Sequence, residues 1–281
     1  MLTGTFLHLP GIGPVKEKKL WNSGVEDWDG ALSHVHTTHN ILGDQRTLQL
    51  KEHRESLGNG TLPSLASSHQ WRALRFGPQG PTGGSRWLAL DIETTGLDSR
   101  WAQVTVVGLC GHATDFLPVC LSCEDPDWKT KLTAFLDDTD VLLTFNGASF
   151  DKPFLDGECG ALRWPQYHVD LRFPLKSLGY QGGLKRVQQV LGHIRDSDLQ
   201  DVDGFMAVRL WREHLRGTSG ALETLIRYCL EDTVVLIDLA AFAYDQLKAR
   251  IDRPWPAVDL TAPSLDSLPY DPGLVRRLSR F

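Results

Sequence analysis

The segment LALDIETTGLD, residues 88–98, runs a stretch of apolar residues straight into two carboxylates, Asp91 and Glu93. Side chains alternate along a strand with period two, so positions 91 and 93 share a face. Two carboxylates at the end of an apolar strand repel each other, and each raises the other's pKa. A divalent cation removes that repulsion, and paired hard oxygen donors suit Mg²⁺ or Mn²⁺. The TTG that follows has the composition of a tight turn. It would expose backbone N–H groups beside the acids, where a phosphate can lie. An Asp-x-Glu at a strand end also arises by chance, so the pair needs partners elsewhere in the chain.

Two further acids are candidates for that role. In TFNGASFDKPFL, residues 144–155, Asp151 falls on the first turn of a helix that follows a strand. In YCLED, residues 228–232, Tyr228 and Asp232 stand four apart on one helix face. Leu225, Val235 and Leu239 share that face, and an acid in an apolar stripe is costly to bury without a partner. Singly, Asp151 also reads as a helix cap and Asp232 as a solvent-facing residue. Three acidic elements in this order are harder to explain in that way.

The elements that must position these groups follow from periodicity. Strand patterns occupy RWLALDIE (86–93), QVTVVGLCGH (103–112), TDFLPVCL (114–121), DVLLTFN (140–146) and YHVDL (167–171), the second and third forming a hairpin. Helical spacing occupies 125–138, a segment opening at SFDKPFLDGEC (149–159), 183–192, 205–215 and a long run over 221–251. This order predicts an α/β fold, a mixed five-stranded sheet flanked by helices. Residues 1–76 read as a helical, polar N-terminal region. GPQGPTGGS, 77–85, reads as a Gly/Pro-rich linker, 86–251 as the main domain, and 252–281 as a Pro-rich tail, draped or loose.

The bulk properties restrict the functional classes. The 281 residues are 41% hydrophobic and 23% charged, the composition of a globular protein. No apolar run has membrane-spanning length, and MLTGTFLHLPGIG lacks the basic start and apolar core of a signal peptide. The expected location is the cytoplasm. The net charge of −6 excludes an all-over basic coat. It is compatible with a nuclease that is acidic at its chemistry and basic only locally. Five cysteines, an odd number, read as reduced thiols; the single CxxC, Cys120–Cys123, has no second pair to complete a zinc site.

The series DIETTGL, NGASFDKPFL and YCLED resembles the three exonuclease motifs of the DEDD superfamily, within the ribonuclease H-like fold. GLKRVQQVLG resembles the segment between the second and third motifs. The nearest resemblance is to the YprB-type ribonuclease H-like exonucleases, related to the proofreading domains of family B DNA polymerases, over about residues 86–245. The third motif of the His subtype is His-x4-Asp, and Arg227 stands at that position. The Tyr subtype has Tyr-x3-Asp, which Tyr228 and Asp232 match, so the chain resembles the DEDDy class.

The resemblance implies a 3′→5′ exonuclease with two divalent cations, Mg²⁺ or Mn²⁺. Asp91 and Asp232 would hold or bridge both, and Glu93 and Asp151 would complete the set. The cations would clamp the scissile phosphate, activate water and stabilise the leaving 3′ oxygen. Tyr228, with an ordinary pKa of ~10, would orient the attacking water. The backbone near Thr94 and Thr95 would grip the terminal nucleotide and Leu97 would wedge against its base. Asn146 and Phe150 would line the strand's path, and Lys185 would touch a phosphate. Leu97 and Phe150 read equally as plain core.

LPGIGPVKEKKLWNSGVEDWDGAL, 9–32, resembles a helix-hairpin-helix motif. The backbone of Gly11 and Gly13, with Lys16, would contact a DNA phosphate without reading sequence. His34, His36 and His39 read as surface histidines. The expected partner is a single-stranded 3′ end, DNA ahead of RNA. Two rival readings are a non-catalytic nucleic-acid-binding protein on the same fold and an RNA-processing exonuclease. The presence of all four acids and the tyrosine disfavours the first.

Overall fold

Strand β1 (Trp87–Thr94) is the central strand of a five-stranded sheet. The computed structural model describes residues 2–33, 42–58, 64–74, 85–192, 205–251 and 257–279. The other strands are β2 (Val104–Gly111), β3 (Val119–Ser122), β4 (Val141–Thr144) and β5 (Tyr167–Asp170), in the order β3-β2-β1-β4-β5. β1–β2 and β2–β3 pair antiparallel, whereas β1–β4 and β4–β5 pair parallel. This is the expected mixed sheet. The third strand is shorter than the predicted 114–121. His112–Thr114 form a 3-10 turn and Asp115 and Phe116 take positive φ, 51° and 61°, which reverses the chain before pairing can begin.

The alternation of β1 divides the core. Leu88, Leu90 and Ile92 face α4 (Trp128–Asp137) and α5 (Asp151–Cys159), packing with Trp128, Leu132, Phe154 and Leu155. Trp87 and Ala89 face the other way, toward α9 (Ala221–Lys248), and pack with Leu236, Ala240 and Tyr244. Between these elements lie α6 (Arg172–Ser177), α7 (Leu184–Leu191) and α8 (Met206–Leu215). Helix α6 carried no sequence signal of its own.

Gly108 sets how closely α9 approaches the sheet. It pairs with Asp91 across β1–β2. A Cβ at this position would sit 2.1 Å from Thr233 Oγ1 and 3.0 Å from Cys229 Sγ, both on α9. Only a residue without a side chain lets the helix lie against the strand here. The hydroxyl of Thr233 is itself held by the carbonyl of Cys229, 2.9 Å away.

The N-terminal helices α1 (Pro14–Asn22), α2 (Trp28–Ser33) and α3 (Asp44–Gly58) enclose a small core of Phe6, Leu9, Trp28 and Leu50. Buried Glu17 joins this unit to the following 3-10 segment, Ser67–Leu74. It accepts from the Thr5 hydroxyl (2.6 Å), the Phe6 N–H (2.8 Å) and the Arg72 guanidinium (2.9 Å). Trp71, Ala73 and Leu74 pack in the same core as β1 and β5, and Gln70 accepts the His168 N–H of β5. His34, His36, His39 and residues 77–84 of the Gly/Pro stretch lie outside the described residues.

Residues 257–279 of the C-terminal tail are held against α8 and α9. Arg227 donates to the carbonyls of Leu265 (2.5 Å) and Leu268 (3.1 Å). The chain then ends in α10 (Pro272–Leu278), capped by Asp271 and packed on α8 through Leu274 and Val275. Among the described residues no helix is long and apolar enough to cross a membrane.

Gly108→Ala is expected to lower the unfolding free energy by about 1–3 kcal/mol in urea denaturation, the usual cost of overpacking. Thr233→Ala in the same chain should recover part of that loss, because its hydroxyl is the nearest obstacle. An unaltered midpoint in the single variant would show that α9 is not locked against β2 at this point.

Candidate functional site

Asp91 and Glu93 continue the parity of Trp87 and Ala89, so they project from the α9 side of β1 where its ladder shifts register at Glu93/Thr94. Helix α9 crosses at that point and brings Asp232, only 7% exposed, to the same place. Asp91, Glu93 and Asp232 each offer a carboxylate oxygen within 4.8 Å of the others. Tyr228, one turn earlier on α9, is buried and lines the same cavity.

Asp151 arrives differently. It begins α5, which packs on the opposite sheet face, and it is not a member of the tight triplet. It lines the same cavity, of about 650 Å³, while its Oδ1 is buried without a hydrogen-bond partner. Burial pushes its pKa up to about 7, and the neighbouring Asp170 adds to the rise. The backbone N–H groups of Asp151 and Ile92 act against it. Three clustered carboxylates and a fourth with an orphaned oxygen are an unfavourable set alone. All four are hard oxygen donors, so they fit one or two Mg²⁺ or Mn²⁺ ions.

Sequence reading missed Asp170. This buried residue at the end of β5 accepts the N–H groups of Asn146 (2.8 Å), Ala148 (3.2 Å) and Arg172 (3.2 Å). It thereby shapes the loop that leads into Asp151. Asn146 holds φ 66°, a left-handed conformation that asparagine tolerates, and its Oδ1 accepts from Arg172 at 2.5 Å. The signal available was another acid closing a strand, in YHVDL.

The remaining candidates divide into two groups. Thr94, Leu97, Asn146, Phe150 and Lys185 all line the cavity. Leu97 is 72% exposed, so it is not plain core. Phe150 does both things, its ring packing tilted against Phe154 with centroids 4.8 Å apart while bordering the cavity. The Lys185 ammonium lies 5.0 Å from the centre of the Tyr228 ring, a cation–π contact. Thr95 does not line the cavity. Its N–H donates to the Gln103 carbonyl and its hydroxyl accepts the Gln103 N–H, so both groups close the turn.

Gly11, Gly13 and Lys16 are exposed on the N-terminal unit and do not line the cavity. Gly11 has φ +71°, and the Arg46 side chain lies against it while donating to the Pro10 carbonyl. Among the described residues a 3-10 turn, Leu2–Gly4, precedes this hairpin, and α1 follows it. Arg227, next to Tyr228, points away toward the tail and also pairs with Glu231 at 2.8 Å. All five cysteines are free thiols.

A family model described as RNase_H superfamily matches residues 88–244. A search of curated proteins finds no match. Among solved structures, the family B DNA polymerase from the hyperthermophilic archaeon Pyrobaculum calidifontis is similar at 18% identity and TM-score 0.45. The match covers 61% of this chain and 25% of that one. A structure described as the apo form of the nuclease is similar at 20% identity and TM-score 0.40, covering 59% of this chain and 73% of that one. The chain thus spans a quarter of the polymerase's length.

The raised pKa of Asp151 predicts a pH effect on the metal-free protein. An acid whose folded value lies above its ordinary 3.8 stabilises the fold while protonated, and that stability is lost as pH rises toward about 7. In chelator, the thermal midpoint of the wild type should fall more steeply between pH 5 and 8 than that of Asp151→Asn. Added Mg²⁺ or Mn²⁺ should narrow the gap. Equal slopes for the two proteins would show that burial does not strain this carboxyl.

Proposed function

Because the chain belongs to the RNase H superfamily, we propose that it is a metal-dependent 3′→5′ exonuclease of the DEDDy, YprB-like type. Its substrate is a single-stranded nucleic-acid 3′ end, DNA ahead of RNA. The observation that carries this reading is the convergence of Asp91, Glu93 and Asp232 within 4.8 Å, in a cavity that Tyr228 and Asp151 also line. The N-terminal unit, with Gly11, Gly13 and Lys16 exposed, contributes a sequence-independent DNA contact.

In this reading Asp91, Glu93, Asp151 and Asp232 hold two Mg²⁺ or Mn²⁺ ions, which supply Lewis acidity at the scissile phosphate and to the water that attacks it. The chain's other residues bind and orient. Tyr228 hydrogen-bonds the attacking water through its phenol oxygen, fixing its line of approach. Lys185, stacked over the Tyr228 ring, holds that ring in place and faces the phosphate. Leu97, exposed at the cavity rim, separates the terminal base from its neighbour. Asn146 and Phe150 border the path of the strand, in a loop fixed by Asp170.

The test is digestion of 5′-labelled single-stranded DNA and RNA with Mg²⁺, Mn²⁺ or chelator. Wild type should give a ladder shortening from the 3′ end. Asp151→Ala and Asp232→Ala, with thermal midpoints that show them folded, should lose on the order of a thousandfold in rate, about 4 kcal/mol of barrier. Full activity in either variant, or no degradation of either polymer by wild type, contradicts the proposal. Tyr228→Phe should slow hydrolysis by about tenfold, ~1.4 kcal/mol, because orientation is lost while the ligands remain. A Tyr228→Phe as inactive as Asp151→Ala would assign the phenol a larger part.

A further inference from the structure

Cations border the carboxylate cavity from the α6–α7 segment: Arg172, Lys176 and Lys185. The end of β1 and the turn after it border it with Thr94, Gly96 and Leu97, which carry no charge. Arg172 and Lys176 are both exposed and stand four apart on α6, so they share one side of the helix, with Cβ atoms roughly 5–6 Å apart. Arg172 is anchored inward through Asn146 Oδ1 at 2.5 Å, and Lys185 stands over Tyr228 at 5.0 Å. Two of the three cations therefore touch candidate-site residues, and Lys176 lies one helical turn beyond Arg172.

A polyanion meets a difficulty here. The chain carries a net charge of −6, and four carboxylates stand in the cavity itself. Bulk electrostatics therefore does not draw a nucleic acid in, and attraction must come from cations placed along its path. We propose that Arg172 and Lys176 form a phosphate rail, binding consecutive phosphodiester groups of a single strand on the 5′ side of the bond held at the carboxylates. Lys185 takes the phosphate nearest the site. The inference rests on the nuclease reading, and it adds residues that bind the strand beyond the nucleotide being removed. The recognised chemistry is the phosphodiester backbone, which DNA and RNA share.

The rail predicts discrimination by chain length. In Mg²⁺, KM should be measured at increasing KCl for a decanucleotide and a dinucleotide, as DNA and as RNA. Lys176→Gln and Arg172→Gln should raise KM for the decanucleotide several-fold at low salt, with kcat within about twofold. Each should flatten the log KM against log [KCl] slope by about 0.7, the value for one single-strand phosphate contact. The dinucleotide, whose single phosphodiester is the one held at the carboxylates, should shift far less. Lys176→Arg should restore both KM and slope, since it keeps the charge.

An unchanged slope together with an unchanged decanucleotide-to-dinucleotide KM ratio overturns the rail. An effect confined to one of the two polymers also overturns it, because phosphate is common to both. If the wild type hydrolyses oligonucleotides but Lys176→Gln behaves identically, only the rail fails. If the wild type hydrolyses neither polymer, the nuclease reading fails with it.

Discussion

Helix α9 lies against the sheet where β2 has no side chain, and most of the site follows from that contact. Gly108 pairs with Asp91, and Thr233 and Cys229 of α9 occupy the space its side chain would fill. Tyr228 and Asp232 immediately precede those two residues, Cys229 and Thr233, on the helix. A wider separation would leave Asp232 in apolar surroundings with no carboxylate neighbours to share a cation. The same closeness brings three acids within 4.8 Å, an arrangement that costs free energy unless positive charge is supplied.

The electrostatics of the cavity are thus divided. Carboxylates collect where β1, α5 and α9 meet, and cations collect on the α6–α7 rim. Asp151 shows the tension most directly, since burial and Asp170 raise its pKa while its Oδ1 finds no partner. Asp170 accepts three backbone N–H groups, which fix the loop leading to Asp151. A rigid frame around mutually repelling groups is what a preformed cation site requires.

How much was legible in the sequence depended on the range of the interaction. The period-two alternation of LALDIET placed Asp91 and Glu93 on one face, and the long apolar pattern after Gly220 marked α9. Both are local signals. Which sheet face each helix covers is not local, so the separation of Asp151 from the triplet had no signature. Asp170 escaped notice because its partners are backbone amides, which every residue type supplies. The shortened β3 depends on positive φ at Asp115 and Phe116, neither a glycine. Thr95 looked available, but its N–H is taken by Gln103 eight residues on. The order of the tail depends on Arg227 reaching carbonyls at 265 and 268, a contact no spacing reveals.

Cation binding by the converging carboxylates is tested most directly by titrating the purified protein with Mn²⁺ and following free Mn²⁺ by electron paramagnetic resonance, with no nucleic acid present. The wild type should bind Mn²⁺ saturably, and Asp232→Asn should lose that binding or weaken it by at least about tenfold. Equal Mn²⁺ binding by the two proteins, or none by the wild type at millimolar metal, would contradict it.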